Sequence, residues 1–329
     1  MKAINSFGLV CPFCRNEMIK ELKSYICTHC DKRFKIDKDI VSFVKSEDEF
    51  YEGKYVETRD FESLLPSFLG PLRHLFYRMF VEVNIVTRAE RFFRHRLHGK
   101  KNLKILDLAC GGGWKFLTEY GEVHGVYLSL HSLANSKKIY DYVCQADALK
   151  LPYRDESFDV VTSIDFFEHI PPSRKQTCLG EIYRVLKPGG MVLKYIPMDG
   201  KDRLSMFTKK YSKLYKKYWI DRDDHVGLES PHKIISRFKE AKFTVVAYSH
   251  CWVNLLIPLT YLKYLDNEYR TKSKFIDIRV RISKVVVKNN ILFGVYAVLM
   301  SPLFDLSDLC SPLDHGLGFL ICAKKNQYL

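Results

Sequence analysis

Between Leu103 and about Pro197 short apolar runs alternate with stretches whose apolar residues recur at helical spacing, which is the pattern of βαβ units on a parallel sheet. Lys104 to Leu108, Glu122 to Leu128, Asp159 to Ile164 and Met191 to Ile196 read as strands, and Phe319 to Ala323 as a last one. Ahead of them lies a mostly helical block in which Leu72, Leu75, Phe76, Met79, Phe80 and Val83 share a face, continued by a basic helix over Arg88 to Arg96. After Gly200 the alternation weakens into Lys/Tyr-rich and then apolar segments. The chain thus divides into residues 1–45, a linker and basic helical cap over 46–101, with the charged stretch Lys45-Ser46-Glu47-Asp48-Glu49 across the boundary between them, and a large domain over 102–329.

The composition of the 329 residues, 47% hydrophobic and 27% charged, excludes a disordered or fibrous chain. The longest apolar stretch, Ile291 to Phe304, is broken by Gly294, Ser301 and Pro302 and falls short of the roughly 20 residues that cross a bilayer. Ten residues precede Cys11, too few for a secretory signal, so a cytoplasmic protein is expected. The net charge of +14 resides in residues 61–100 and 201–329. Such a surface suits nucleic acid, an anionic membrane or an acidic substrate, and charge alone does not choose.

Four of the ten cysteines stand as Cys11-Pro-Phe-Cys14 and Cys27-Thr-His-Cys30. Each pair aims two thiolates at one point, and two pairs complete a tetrahedral sulfur set for a structural zinc ion. His29 lies inside the second turn and reads as a surface imidazole.

A second motif is Ile105-Leu106-Asp107-Leu108-Ala109-Cys110-Gly111-Gly112-Gly113, a strand that ends in an acidic residue and a glycine turn. Its glycines let backbone approach a ligand closely. Further along come Val123-His124-Gly125-Val126 leading to Tyr127-Leu128-Ser129, then Gln145-Ala146-Asp147-Ala148 with Leu151-Pro152-Tyr153. Ser157-Phe158-Asp159-Val160-Val161, Glu168-His169-Ile170 and Leu186-Lys187-Pro188-Gly189-Gly190 close the series. In this order the motifs resemble the class I S-adenosylmethionine-dependent methyltransferases, especially the type 11 branch that includes the ubiquinone and menaquinone methyltransferases. Arg33 to Val44 similarly resembles the tail of small zinc ribbons fused ahead of bacterial and archaeal methyltransferases.

The resemblance implies an α/β, Rossmann-like fold: a seven-stranded, mostly parallel sheet with helices on both faces, preceded by the zinc ribbon and carrying a helical insertion at about 250–315. It also implies S-adenosylmethionine as cofactor. Asp107, Ala109, Gly111 and Gly113 would line its methionine end, and Asp147 with Ala148 would hold the adenine. A carboxylate can accept from the exocyclic amine there while a backbone N–H donates to the ring. The chain departs from the family at Ala109, usually glycine, and at Tyr127, which replaces the acidic residue on the ribose and is expected to stack on the adenine instead. Asp165 at a strand end is expected to face the transferred methyl. His169 and His225 lie where family members place substrate-side residues and are the candidate catalytic bases. A base is needed only if the acceptor must lose a proton.

The C-terminal third shapes the choice of acceptor. Trp252 to Leu259 and Ile291 to Phe304 are apolar, with Arg270, Lys272, Lys274, Arg279, Arg281, Lys284 and Lys288 between them. This is either a peripheral membrane element or a lid whose apolar faces pack on the core. Methyl transfer to a small or lipid-linked hydrophobic acceptor is therefore expected. RNA methylation, with the ribbon and basic patches gripping phosphates, and a non-catalytic ribbon scaffold are the alternatives.

Overall fold

The computed structural model describes residues 8–44, 85–251 and 259–327. The helical face over Leu72 to Val83, the charged linker and most of the Trp252 to Leu259 run lie outside the described residues. The ribbon contributes β1 (Met18–Lys20), β2 (Ser24–Cys27), β3 (Arg33–Asp37) and β4 (Ile40–Ser42), each antiparallel to the next. Lys38 and Asp39, both at positive φ, form the two-residue turn that joins β3 to β4.

The second part is wound on both faces of a sheet. In chain order it holds α1 (Ile85–Leu97), β5 (Leu103–Leu108), β6 (Gly121–Tyr127), α2 (Leu130–Ser136), β7 (Tyr142–Gln145), β8 (Phe158–Ile164), α3 (Lys175–Val185) and β9 (Leu186–Pro197). There follow α4 (Arg203–Lys210), α5 (Ser212–Tyr215), α6 (Pro231–Glu240), β10 (Phe243–Cys251), α7 (Lys274–Lys288), α8 (Asn290–Leu309) and β11 (Gly318–Lys325). Seven strands are ordered β7-β6-β5-β8-β9-β11-β10, and β11 runs antiparallel to both neighbours. Alternation along β5 explains the two layers. Leu106 and Leu108 enter one core with Cys178, Leu179, Ile234 and Phe238, whereas Ile105 enters the other with Phe93, Trp114, Leu133 and Val280.

The ribbon is not a separate body on a tether. β4 pairs in parallel with β7, matching Val41 to Cys144 and Ser42 to Gln145, so one sheet of eleven strands runs through both parts. Cys11, Tyr25 and Phe34 of the ribbon share a core with Leu149, Leu151 and Tyr153.

The sequence reading passes over two strands. β7 is only four residues long and adjoins the loop motif that carries Asp147. β10 is the edge strand, and its exposed Thr244, Tyr248 and Ser249 blur the apolar signal.

One expectation needs correction. Gly294, Ser301 and Pro302 do not interrupt the apolar stretch, because α8 is a single helix of 20 residues with Pro302 inside it. At 1.5 Å per residue that is about 30 Å, so length does not exclude a bilayer crossing. The residues from Ile291 to Leu309 form one helix long and apolar enough to cross, by composition alone.

Helix α8 is also inside out. Its inward face carries Ala297, Ser301, Phe304 and Asp308, and its outward face carries Ile291, Val295, Leu299, Leu303, Leu306 and Leu309. Outward Phe275, Ile278, Ile282 and Val285 extend the apolar surface onto α7. Arg88 of α1 pairs with both Asp305 and Asp308, and Arg91 with Asp305, which fastens the pair of helices to the body.

Candidate active site and metal centres

In the ribbon, Cys14 Sγ lies 3.3 Å from Cys27 Sγ and 3.6 Å from Cys30 Sγ, and Cys11 Sγ lies 3.6 Å from Cys30 Sγ. Four sulfurs placed tetrahedrally at the usual zinc–sulfur distance stand about 3.8 Å apart, so the four thiols fit one zinc ion. The N–H groups of His29 and Cys30 point to Cys27 Sγ, at 3.4 and 3.5 Å. The His29 side chain itself is exposed.

At the carboxyl end of β5 the turn is braced from below. Asp107 is fully buried, and its two oxygens accept from Tyr140 Oη at 2.8 Å and from Thr162 Oγ1 at 3.0 Å. Tyr140 Oη in turn accepts from the Trp114 N–H at 2.6 Å. Asp107 thereby fixes both ends of the glycine loop. Ala109, Gly111 and Gly113 all have positive φ, at 58°, 53° and 92°. For Ala109 that geometry costs about 1 kcal/mol, which explains why a glycine suits the position. At Gly113 an added Cβ would meet Ile139 Cδ1 at 2.6 Å.

Tyr127 ends β6 and is buried, with 7% of its surface exposed. Asp147 follows β7. Its Oδ1 accepts from the Leu149 N–H at 2.9 Å, its Oδ2 comes no nearer to Arg174 than 3.9 Å, and Ala148 beside it is buried. These two loops are tied to each other and to the ribbon. Gln145 Nε2 donates to the Leu128 carbonyl at 2.7 Å, while Ser42 Oγ of β4 donates to Gln145 Oε1 at 2.5 Å.

On the other side of the carboxyl edge, Asp165 follows β8 in a left-handed conformation, φ 49°. It lies within electrostatic reach of Tyr195, Tyr261 and Tyr264, whose phenols are raised first by burial and further by the Asp165 charge. Tyr261 and Tyr264 come from a short helix over Leu259–Leu265, and both approach Trp219 at 6.3 Å between ring centres. Trp219 sits on a π-helical turn over Lys216–Asp221, a rare geometry frequent at functional sites. The structure brings His169 and His225 together, with rings 5.2 Å apart and His169 Nδ1 3.1 Å from the Asp224 carbonyl. Burial first, then the neighbouring His169, holds His225 neutral down to about pH 4. Buried Lys194 donates to Ser163 Oγ at 2.7 Å, and burial lowers it to about 8.

The sequence reading does not single out Tyr140, Thr162, Gln145 or Lys194 as site residues. It also misses the aromatic wall of Trp219, Tyr261 and Tyr264. The Tyr-rich stretch around 211–218 is the one local signal for that wall, and it reads equally as a solvated basic face.

Comparison with known proteins follows the same division. Residues 106–193 match the profile of a family described as a methyltransferase domain. A demethylmenaquinone methyltransferase of Lysinibacillus sphaericus is 33% identical over 180 residues, which span 46% of this chain and 75% of that protein. The chain belongs to the class I S-adenosylmethionine-dependent methyltransferases. A ubiquinone/menaquinone biosynthesis C-methyltransferase of a Ruegeria species is 36% identical over 119 residues, covering 31% of this chain and 46% of that one. A sterol 24-C-methyltransferase of Gibberella zeae is 30% identical over 122 residues, covering 32% and 30%. The chain thus spans less than half the length of these last two relatives. Among solved structures, phosphoethanolamine N-methyltransferase 2 of Haemonchus contortus with bound S-adenosylmethionine aligns at TM-score 0.45 and 22% identity, over 73% of this chain and 52% of that one. In this methyltransferase the ribbon strand β4 extends the sheet at the β7 edge, beside the loop that carries Asp147.

Proposed function

We propose that this methyltransferase transfers a methyl group from S-adenosylmethionine to a small lipophilic acceptor that it meets at a membrane surface. The observation that carries the acceptor class is the inside-out helix pair α7–α8, inserted between β10 and β11. Twelve of the eighteen exposed large apolar side chains among the described residues lie on it. Single exposed apolar residues are ordinary, but a contiguous outward face of Leu, Ile, Val and Phe needs an apolar partner. Exposed Lys274 and Lys288 flank that face and complement anionic headgroups. The named acceptors of the relatives, demethylmenaquinone and sterol, support the same class.

The residues fit the cofactor. Gly111 and Gly113 supply close-approach backbone, Asp147 has a carboxylate oxygen with accepting capacity, and Ala148 contributes the adjoining amide. Asp107 acts indirectly, by holding the loop through Tyr140 and Thr162. Tyr127 stands where the ribose partner is usually acidic and contributes its ring rather than a carboxylate. When bound, the sulfonium supplies an already activated methyl group. The protein's part is positioning and exclusion of water, for which Trp219, Tyr195, Tyr261 and Tyr264 form an aromatic wall on the Asp165 side of the carboxyl edge. Asp165, His169 and His225 are the groups on that side able to take a proton from an acceptor oxygen, nitrogen or carbon. The ribbon zinc is structural, since four thiolates leave no open position.

Flotation of the zinc-loaded protein with vesicles of phosphatidylcholine and phosphatidylglycerol tests the membrane part. Binding that requires the anionic lipid is expected. Absence of vesicle binding, with steeply salt-dependent binding to RNA, would replace this reading by RNA methylation.

A further inference from the structure

Away from the ribbon, three donor groups converge just beyond the end of β8. Glu168 is fully buried in the short turn Phe167–His169, and neither of its carboxylate oxygens accepts a hydrogen bond. Its Oε1 lies 3.5 Å from His169 Nε2. His225 arrives from a distant segment, with its Nδ1 buried and without a hydrogen-bond partner. One donor atom of each of the three residues lies within 4.8 Å of the other two.

Two further observations set this cluster apart from a chance grouping. The buried lysines nearby donate elsewhere, Lys194 to Ser163 Oγ and Lys175 to the Gly227 carbonyl and, at 3.3 Å, to Glu229 Oε2. Neither donates to Glu168. The Asp224 carbonyl, on a residue with φ 55°, lies 3.1 Å from His169 Nδ1. Accepting the Nδ1 proton, it leaves the Nε2 lone pair on the side of Glu168, the outer-shell arrangement that orients metal-ligating imidazoles.

We infer that Glu168, His169 and His225 form a second metal site, for a divalent transition-metal cation held by two imidazoles and one carboxylate. Imidazole donors favour zinc, cobalt or iron(II) over magnesium or calcium. Coordination at the usual distances needs the donors that stand farthest apart to close by up to about 1.5 Å, a side-chain adjustment. Three protein ligands leave coordination positions open, in contrast to the closed ribbon site. The His225 N–H donates to the Ile220 carbonyl at 3.1 Å, on the π-helical turn that carries Trp219, which sets the cluster beside the aromatic wall. An open position there can take an oxygen or nitrogen of an acceptor. The inference concerns metal binding and does not rest on methyl transfer.

Protein whose ribbon is loaded with zinc is titrated with cobalt(II) and followed by visible absorption and by metal content. A second equivalent is expected, with ligand-field bands but without the thiolate charge-transfer absorption that cobalt in the ribbon would give. Glu168→Gln and His225→Asn should each weaken this second equivalent by at least about tenfold. The ribbon zinc and the circular dichroism spectrum should be unchanged, and Cys14→Ser should retain the second equivalent. Should Glu168→Gln fail to fold, the His225→Asn variant decides, because its side chain lies in a loop. No second equivalent in the wild type, or a second equivalent that binds equally well in a folded His225→Asn variant, overturns the inference.

Discussion

Ser42 of the ribbon donates its hydroxyl proton to the side-chain carbonyl of Gln145 at 2.5 Å, and through it the ribbon holds the two loops assigned to the cofactor. The Gln145 side-chain amide N–H passes the constraint on to the Leu128 carbonyl, and the backbone carbonyl of Gln145 accepts the Phe43 N–H at 2.8 Å. Folding of the ribbon and shape of the cofactor edge are therefore one problem. Ser42→Ala removes one hydrogen bond worth about 1 kcal/mol, so S-adenosylhomocysteine should bind roughly five-fold more weakly by calorimetry. Stripping the zinc should weaken it further. Equal affinity in chelated and zinc-loaded protein would show that the ribbon is a passenger.

Asp107 offers a second test. It is buried and accepts from two hydroxyls, so Asp107→Asn turns an amide N–H₂ toward one of those donors. A loss of about 2–3 kcal/mol in urea unfolding is expected, and a loss of similar size for Tyr140→Phe, which leaves both Asp107 and the Trp114 N–H without that partner. A large drop in cofactor affinity for Asp107→Asn with unchanged stability would instead make Asp107 a direct ligand.

His124 makes stability depend on pH. Its ring is buried in β6 against Tyr142, Tyr153 and Phe158, and its Nε2 lies 2.5 Å from Glu122 Oε1. Burial outweighs the Glu122 contact and lowers its proton affinity below the ordinary 6.5. Below that value the unfolded chain binds more protons than the folded one, so this contribution is complete above pH 6.5 and is lost as pH falls toward the folded value. The melting temperature should decline over that window, and His124→Gln, which keeps a donor for Glu122, should flatten the decline. An equal slope in both proteins would assign it to other groups.

On α8, Leu299→Glu with Leu303→Glu changes two outward residues, 66% and 46% exposed. Monomer stability should change by no more than about 0.5 kcal/mol, the range of exposed surface positions. Flotation with anionic vesicles should be abolished. If the double variant unfolds the protein, the face is covered by the chain itself and the membrane reading fails.

What the sequence makes legible follows from range. The glycine loop, the longer strands β5, β6, β8 and β9 of the parallel core and the paired cysteines announce themselves locally, because turn chemistry, buried apolar runs and ligand spacing are properties of a few neighbouring residues. Pairing of β4 with β7 joins positions as distant as Val41 and Cys144 and has no local signature, and the meeting of His169 with His225 across the chain has none either. The outward face of α8 is hidden for another reason: an apolar helix reads the same whether its leucines point in or out. Only the burial of Ser301 and Asp308 opposite Leu299 and Leu306 reveals the inversion.

The central claim is tested most directly by incubating the zinc-loaded protein with S-adenosylmethionine labelled in the methyl group and a bacterial membrane lipid extract, then partitioning the mixture into organic solvent. Label should accumulate in the organic phase and be suppressed by S-adenosylhomocysteine. Label confined to the aqueous phase, under conditions where calorimetry shows the cofactor bound, would contradict a lipophilic acceptor.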